Sequence, residues 1–220
     1  GVAKNTDQFV MGHEFCGKVL DYGPKTRRKF KTDQLVCAMP LLQIDHLGYQ
    51  STGLSPNASG GYAEQVIVQS SLMFEVPNGL DPDSAAMTEP MAVALHAVRR
   101  SKIKTSEPAI VIGCGPVGLG IILMLKAAGV KTVIASDYSI NRRKLAERCG
   151  ADRVINPADS SPFANWKELG LLGNAADALN YGLGIFNKVQ STGIPWWHAW
   201  RVAEKLGAMP KRAVIFECVG

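Results

Sequence analysis

Three short stretches of this sequence carry residues whose types and spacing could do chemistry. The first, Gly113-Cys114-Gly115-Pro116-Val117-Gly118, is a G-x-G-x-x-G turn. It follows an apolar run, Ala109–Ile112, and opens a helix-forming run, and an acidic residue, Asp137, lies 19 positions after its last glycine. In that context each part has a use. Gly113 permits a tight turn, Gly115 lets the backbone approach a pyrophosphate, and Gly118 allows close helix–strand packing. Pro116 costs little, because a first-turn N–H has no partner inside the helix. The helix N-terminus that opens at Pro116 offers free N–H groups, from Val117 onward, and partial positive charge to phosphates. The Asp137 carboxylate can accept from both ribose hydroxyls of NAD and would repel the 2′-phosphate of NADP. Arg142 and Arg143 pull the other way, but the place of Asp137 in the motif is fixed, so NAD is the expected cofactor.

The other two stretches, Gly12-His13-Glu14 and Glu89-Pro90, say less by themselves. A His beside a Glu in a loop is most often a hydrogen-bonded surface pair. A Glu at a helix start is often there for the helix dipole.

The elements that must position these residues fall into two groups. Lys18–Leu20, Gln34–Ala38 and Tyr62–Val68 read as short strands, with residues 41–61 a long loop. Asp81 is a good N-cap with Pro82 behind it. The residue before a proline is pushed out of the helical region. One helix should therefore end near Thr88 and a second begin at Pro90, with Glu89 at the break and free to point into a cleft. Met91, Leu95 and Val98 share a face of that second helix. From Ser101 onward strands and helices alternate. Ala109–Ile112, Thr132–Ser136, Val154–Ile155 and Ala213–Cys218 are strands. Helices end near Gly129 and at Cys149-Gly150, the latter capped by Ser139. Such alternation implies a doubly wound parallel sheet. Residues 157–212 form an insertion too long for a plain crossover. It holds all four tryptophans, including a predicted helix over 195–206 whose adjacent Trp196 and Trp197 cannot share one buried face.

Composition narrows the function classes. The 220 residues are 46% hydrophobic and 20% charged, with a net charge of +5, which suits a globular protein. The one basic run, Lys25–Lys31, reads as a solvated loop rather than a nucleic-acid or membrane patch. The longest apolar stretch, near Leu119–Val130, is too short to span a bilayer. Five cysteines with no C-x-x-C pair read as reduced thiols in a cytoplasmic protein. The chain opens on Gly rather than Met and closes directly after a strand. It is expected to be a piece truncated at both ends, inactive alone, with its last strand an open apolar edge.

Taken together, Gly12-His13-Glu14, Gly60-Gly61-Tyr62-Ala63-Glu64, Glu89-Pro90 and Gly113–Gly118 resemble, in order and spacing, the medium-chain zinc-dependent alcohol and polyol dehydrogenases. The resemblance covers almost everything except the insertion. It implies a partial GroES-like, β-rich catalytic domain over 1–100 and a Rossmann NAD-binding domain over 101–220. It implies His13 and Glu89 as ligands of one catalytic zinc, with a Cys ligand upstream of residue 1. Glu14 would stand beside the metal and bind it at some stage of turnover. Glu89-Pro90 is closer to the polyol branch than to the simple alcohol dehydrogenases, which place Cys there. The four clustered cysteines of a structural zinc are missing from residues 41–61, so no second zinc is expected. A packing role is expected for His96, and none is assigned to His46 or His198. The implied reaction is hydride exchange between an alcohol or polyol and NAD, by a protein that is a homo-oligomer at full length. The rivals are a non-catalytic NAD-binding protein and a zinc-free reductase of the same superfamily.

Overall fold

The computed structural model describes residues 9–164, 168–172, 175–191, 193, 195, 197, 198, 201 and 212–219. The chain divides into two compact units, residues 1–93 and 94–220. The division falls inside a helix and ahead of the compositional change at Ser101.

The first unit holds a three-stranded antiparallel sheet of order β1-β2-β5, from β1 (Cys16–Lys18), β2 (Leu35–Ala38) and β5 (Met73–Glu75). Val19, Val36 and Met73 form its small buried core. The basic loop at Lys25–Lys31 lies mostly exposed, as a solvated loop should. Two expectations fail here. Residues 41–61 are not all loop, because β3 (Leu41–Ile44) and β4 (Gly48–Ser51) form a hairpin. Most hairpin residues are only partly covered, so neither face imposes the period-2 alternation by which a strand is read. Tyr62–Val68 is not a strand. Tyr62 and Ile67 are both 76% exposed, and the strand comes later, at Met73, after a 3₁₀ turn at Ser70–Leu72.

Helix α1 (Pro82–Ala86) begins as expected. Asp81 accepts from the Ser84 N–H at 2.9 Å, with Pro82 in the first turn. Helix α2 (Thr88–Ser101) starts two residues before Pro90, not at it. The reason is that the first helical N–H groups have no intrahelical partner, so a proline at the third position removes no hydrogen bond. Glu89 therefore stands in the first turn of α2 rather than in a break.

The second unit is a four-stranded parallel sheet of order β8-β7-β6-β9. Its parts are β6 (Ala109–Ile112), α3 (Pro116–Ala127), β7 (Val133–Ser136), α4 (Ile140–Arg148), β8 (Arg153–Ile155), α5 (Ala175–Gln190) and β9 (Val214–Glu217). This is the 3-2-1-4 order of a doubly wound sheet. Ile110, Val111, Ile122, Leu125 and Val133 are fully buried; each such side chain contributes about 1.5–3 kcal/mol. Ala94 and Val98 of α2 join the same core. Arg212, just before β9, ties the unit's seams. It bonds the buried Glu107 at 2.8 Å and the Lys102 carbonyl at 3.0 Å. The helix expected over 195–206 lies largely outside the described residues, Trp196 and Trp200 included; Trp197 is 53% exposed. Among the described residues no helix is long and apolar enough to cross a membrane.

Candidate metal centre and nucleotide site

His13 is delivered by a backbone seam. The N–H groups of Gly60, Gly61 and Tyr62 donate to the carbonyls of Val10, Gly12 and Met11 at 2.7, 2.8 and 2.9 Å. Gly53 and Gly60 lie so close that a Cβ on either would overlap the Gly12 carbonyl oxygen. The Gly60-Gly61-Tyr62 motif is therefore a clamp on the segment just before His13, a role the sequence alone did not reveal. Glu14 follows, and β1 starts two residues later.

Glu89 comes from the other direction. Helix α1 packs on β1 and β2. The buried Cys37 thiol donates to the Ala85 carbonyl at 3.1 Å, and the Thr88 hydroxyl donates to the same oxygen at 2.6 Å. That turn hands the chain to α2 with Glu89 in its first turn. The result joins residues 76 positions apart. One ligand atom from each of His13, Glu14 and Glu89 lies within 4.8 Å of the others, with His13 and Glu89 partly buried and Glu14 exposed. Ligands bound at about 2.0–2.2 Å in a tetrahedral site stand about 3.5 Å apart, so a small inward movement would let all three reach one cation. One imidazole and two carboxylates suit zinc, and the cation would relieve repulsion between the two acids. His46, His96 and His198 do not join them. His96 is exposed rather than packed, and the His198 ring lies against Trp197, centroids 6.3 Å apart.

In the second unit the Gly-rich turn joins β6 to α3. Gly115 is the N-cap and Pro116 the first helical residue; no side chain caps the helix, which leaves its first N–H groups for a ligand. Gly118 packs so tightly that a Cβ would overlap the Gly113 carbonyl oxygen, the close approach this glycine was expected to serve. Pro116 and Val117 are exposed at the mouth of the turn.

Asp137, at the end of β7, is 8% exposed. Its Oδ2 accepts from the Cys114 N–H at 2.8 Å and its Oδ1 from the Ser139 N–H at 2.7 Å. Burial alone would raise its pKa. The two N–H donors and the charges of Arg142 and Arg143 outweigh burial and hold the carboxyl below its ordinary range. Each carboxylate oxygen keeps a second lone pair for a hydroxyl donor. Asp137 thus braces the glycine turn, a role that was not legible in the motif. The two arginines also separate. Arg143 Nη1 donates to the Asp137 and Tyr138 carbonyls at 2.8 and 2.7 Å, while Arg142 Nη1 stands 3.8 Å from Asp137 Oδ2 and is largely exposed. Cys114 is fully buried; burial first, then the Asp137 charge, pushes its thiol up to about 11.

Two family models match this chain. One, the alcohol dehydrogenase GroES-like domain, covers residues 2–78, and the other, the zinc-binding dehydrogenase, covers residues 116–183. The chain belongs to the medium-chain zinc-dependent alcohol and polyol dehydrogenase family. It is 37% identical over 201 residues to the (R,R)-butanediol dehydrogenase of Bacillus subtilis, which covers 88% of this chain and 55% of that protein. A zinc-binding dehydrogenase of Sinorhizobium meliloti, solved bound to NADP, matches with a TM-score of 0.65 at 28% identity, over 77% of this chain and 51% of that one. An alcohol dehydrogenase of Escherichia coli, solved with NADH, matches with a TM-score of 0.66 at 26% identity, over 76% and 52%. The chain spans about half the length of the curated relatives it matches. The GroES-like and Rossmann-type expectations both hold.

Proposed function

We propose that this chain carries the zinc site and the NAD site of an alcohol or polyol dehydrogenase. Convergence of His13, Glu14 and Glu89 is the observation that carries the reading. Residues 1–100 serve as the catalytic domain and 101–220 as the NAD-binding domain, with residues 157–212 inserted. His13 and Glu89 hold one catalytic zinc, and Glu14 joins it at some stage of turnover. When bound, the zinc supplies Lewis acidity toward an alcohol oxygen and the nicotinamide takes up the hydride. This chain's own residues do the rest. Gly113, Gly115, Pro116 and Gly118 form the turn that seats the pyrophosphate at the start of α3, and Val117 with that turn holds the nicotinamide. Asp137 accepts from the ribose hydroxyls, and Arg142 lies beside it at the adenosine end.

NAD rather than NADP follows from the charge and position of Asp137; similar proteins have been solved with either form. Because the butanediol dehydrogenase is similar, a small vicinal diol is the first substrate to try. No structural zinc is assigned. The full-length protein is read as a cytoplasmic homo-oligomer without nucleic-acid or membrane partners.

The test is metal analysis and turnover of the full-length protein. About one zinc per chain is expected, together with NAD reduction on a panel of vicinal diols and polyols. Protein that binds NADH but holds no zinc would favour the zinc-free reductase, and metal-free protein without turnover would favour a non-catalytic NAD-binding role.

A further inference from the structure

We propose that Cys16 and Cys37 are a covalent redox site that closes to a reversible cross-strand disulfide beside the candidate metal cluster. Cys16 of β1 and Cys37 of β2 are directly opposite in the antiparallel register. The hydrogen bonds fix which kind of pair they are. Val19 N–H donates to the Gln34 carbonyl, so 19 and 34 are a hydrogen-bonded pair. Alternation along the ladder makes 17 and 36 hydrogen-bonded, and 16 and 37 non-hydrogen-bonded. The other side of β2 agrees. Met39 N–H donates to Leu72 O and Val76 N–H to Leu35 O, which turns the backbone groups of Cys37 toward β5 and away from β1.

In a non-hydrogen-bonded pair the two Cα atoms stand about 4.5 Å apart and the side chains lean on the same face. That separation is inside the range of about 4.4–6.8 Å that a disulfide spans. The other three cysteines, Cys114, Cys149 and Cys218, belong to the second unit. Cys16 is partly exposed while Cys37 is buried, which sets the order of events.

The oxidant is a low-molecular-weight disulfide such as oxidised glutathione. The Cys16 sulfur attacks one sulfur of the oxidant, its proton passing to the glutathione sulfur that departs. The oxidant's S–S bond breaks and one glutathione leaves. Cys37 then gives up its proton and attacks the Cys16 sulfur, releasing the second glutathione. Two protein thiols are oxidised, one small disulfide is reduced to two thiols, and the two protons end on those thiols. Closure removes the S–H that Cys37 donates to the Ala85 carbonyl, in the turn that delivers Glu89. Cys16 is two residues beyond Glu14. The bond is therefore tied to one arm of the cluster by chain and to the other through the Ala85 turn.

The experiment treats the full-length protein with oxidised glutathione, blocks free thiols and maps the peptides by mass spectrometry. A linked peptide pair containing Cys16 and Cys37, lighter by two hydrogen atoms and opened by dithiothreitol, is expected in the wild type and not in Cys16→Ser. Free thiols at both positions, or stable glutathione adducts without the link, would overturn the proposal. The mapping is read on the wild type, so a poorly folding variant does not blunt it. A second measurement rests on the zinc reading above. Zinc should pass to a chelator several-fold faster from oxidised than from reduced wild type, with no such difference for Cys16→Ser under the same treatment. Equal rates in linked protein would refute the coupling to the cluster and leave the disulfide standing. Protein that never held zinc would count against the metal reading instead.

Discussion

Replacing Asp137 by Ala should injure two properties at once, and their sizes can be worked out separately. In the native turn the carboxylate accepts from the N–H groups of Cys114 and Ser139. Cys114 is fully buried, so its orphaned N–H would cost about 1–3 kcal/mol. The Ser139 N–H is only partly buried and can turn to water, at about 0.5–1.5 kcal/mol. The sum is about 1.5–4.5 kcal/mol, a large share of a typical stability of about 5–15 kcal/mol. At roughly 4 °C per kcal/mol for a domain of this size, the second unit should melt about 6–18 °C lower, measured by calorimetry. The second effect is on cofactor choice. On the proposed reading the bonds from the ribose hydroxyls are lost, and Arg142, 3.8 Å from the missing carboxylate, becomes free to meet a 2′-phosphate. The ratio of NADH to NADPH affinity, read by fluorescence titration, should fall by about tenfold or more, since 1.4 kcal/mol is tenfold. An unchanged melting temperature would refute the bracing role. Tighter binding of NADPH than NADH by the wild type would refute the reading of Asp137 as an NAD selector.

Three further outcomes are expected. His13→Ala and Glu89→Gln should each lower zinc content in the full-length protein while leaving NADH affinity within about twofold, because the two sites belong to different units; retained zinc in both variants would remove them as ligands. Gly60→Ala, whose new methyl would overlap the Gly12 carbonyl oxygen, should displace His13 and reduce zinc content, again with NADH binding preserved; full zinc occupancy would show that the seam gives way without moving His13. Acid should weaken the second unit through Glu107 as well as Asp137. Burial opposes ionisation of Glu107, but the Lys104 N–H and Arg212 outweigh it and leave its pKa below the ordinary value. Its contribution is therefore complete above its unfolded pKa of about 4.3 and is lost as the pH falls through the lower folded value. The stability gap between wild type and Glu107→Gln should close over that acid range, and a gap that widens on acidification would reverse the sign of the argument.

The nucleotide half was legible in the sequence because its determinants are local. A strand, a glycine turn and a helix N-terminus sit within a few residues of one another, and the positions of Gly115, Pro116 and Gly118 follow from backbone sterics that need no distant partner. Asp81 and Ser139 announced their helices for the same reason. The strand order β8-β7-β6-β9 is that of the doubly wound sheet which the alternation of strands and helices implied. The metal half was different. His13 and Glu89 could be paired only through resemblance to a family, since nothing local to either residue points at the other. The tertiary structure brings them together through the clamp of Gly60–Tyr62 on Val10–Gly12 and the seat of α1 on β1 and β2. Pro90 marked a helix break by its local rule, yet the helix starts at Thr88, because a proline in the first turn interrupts no bond. The β3–β4 hairpin escaped notice because water covers much of both faces and leaves no alternation in the side chains. Cys16 and Cys37 meet for a related reason. Which residues face each other across a ladder is set by register, and register is decided by the fold rather than by either strand alone.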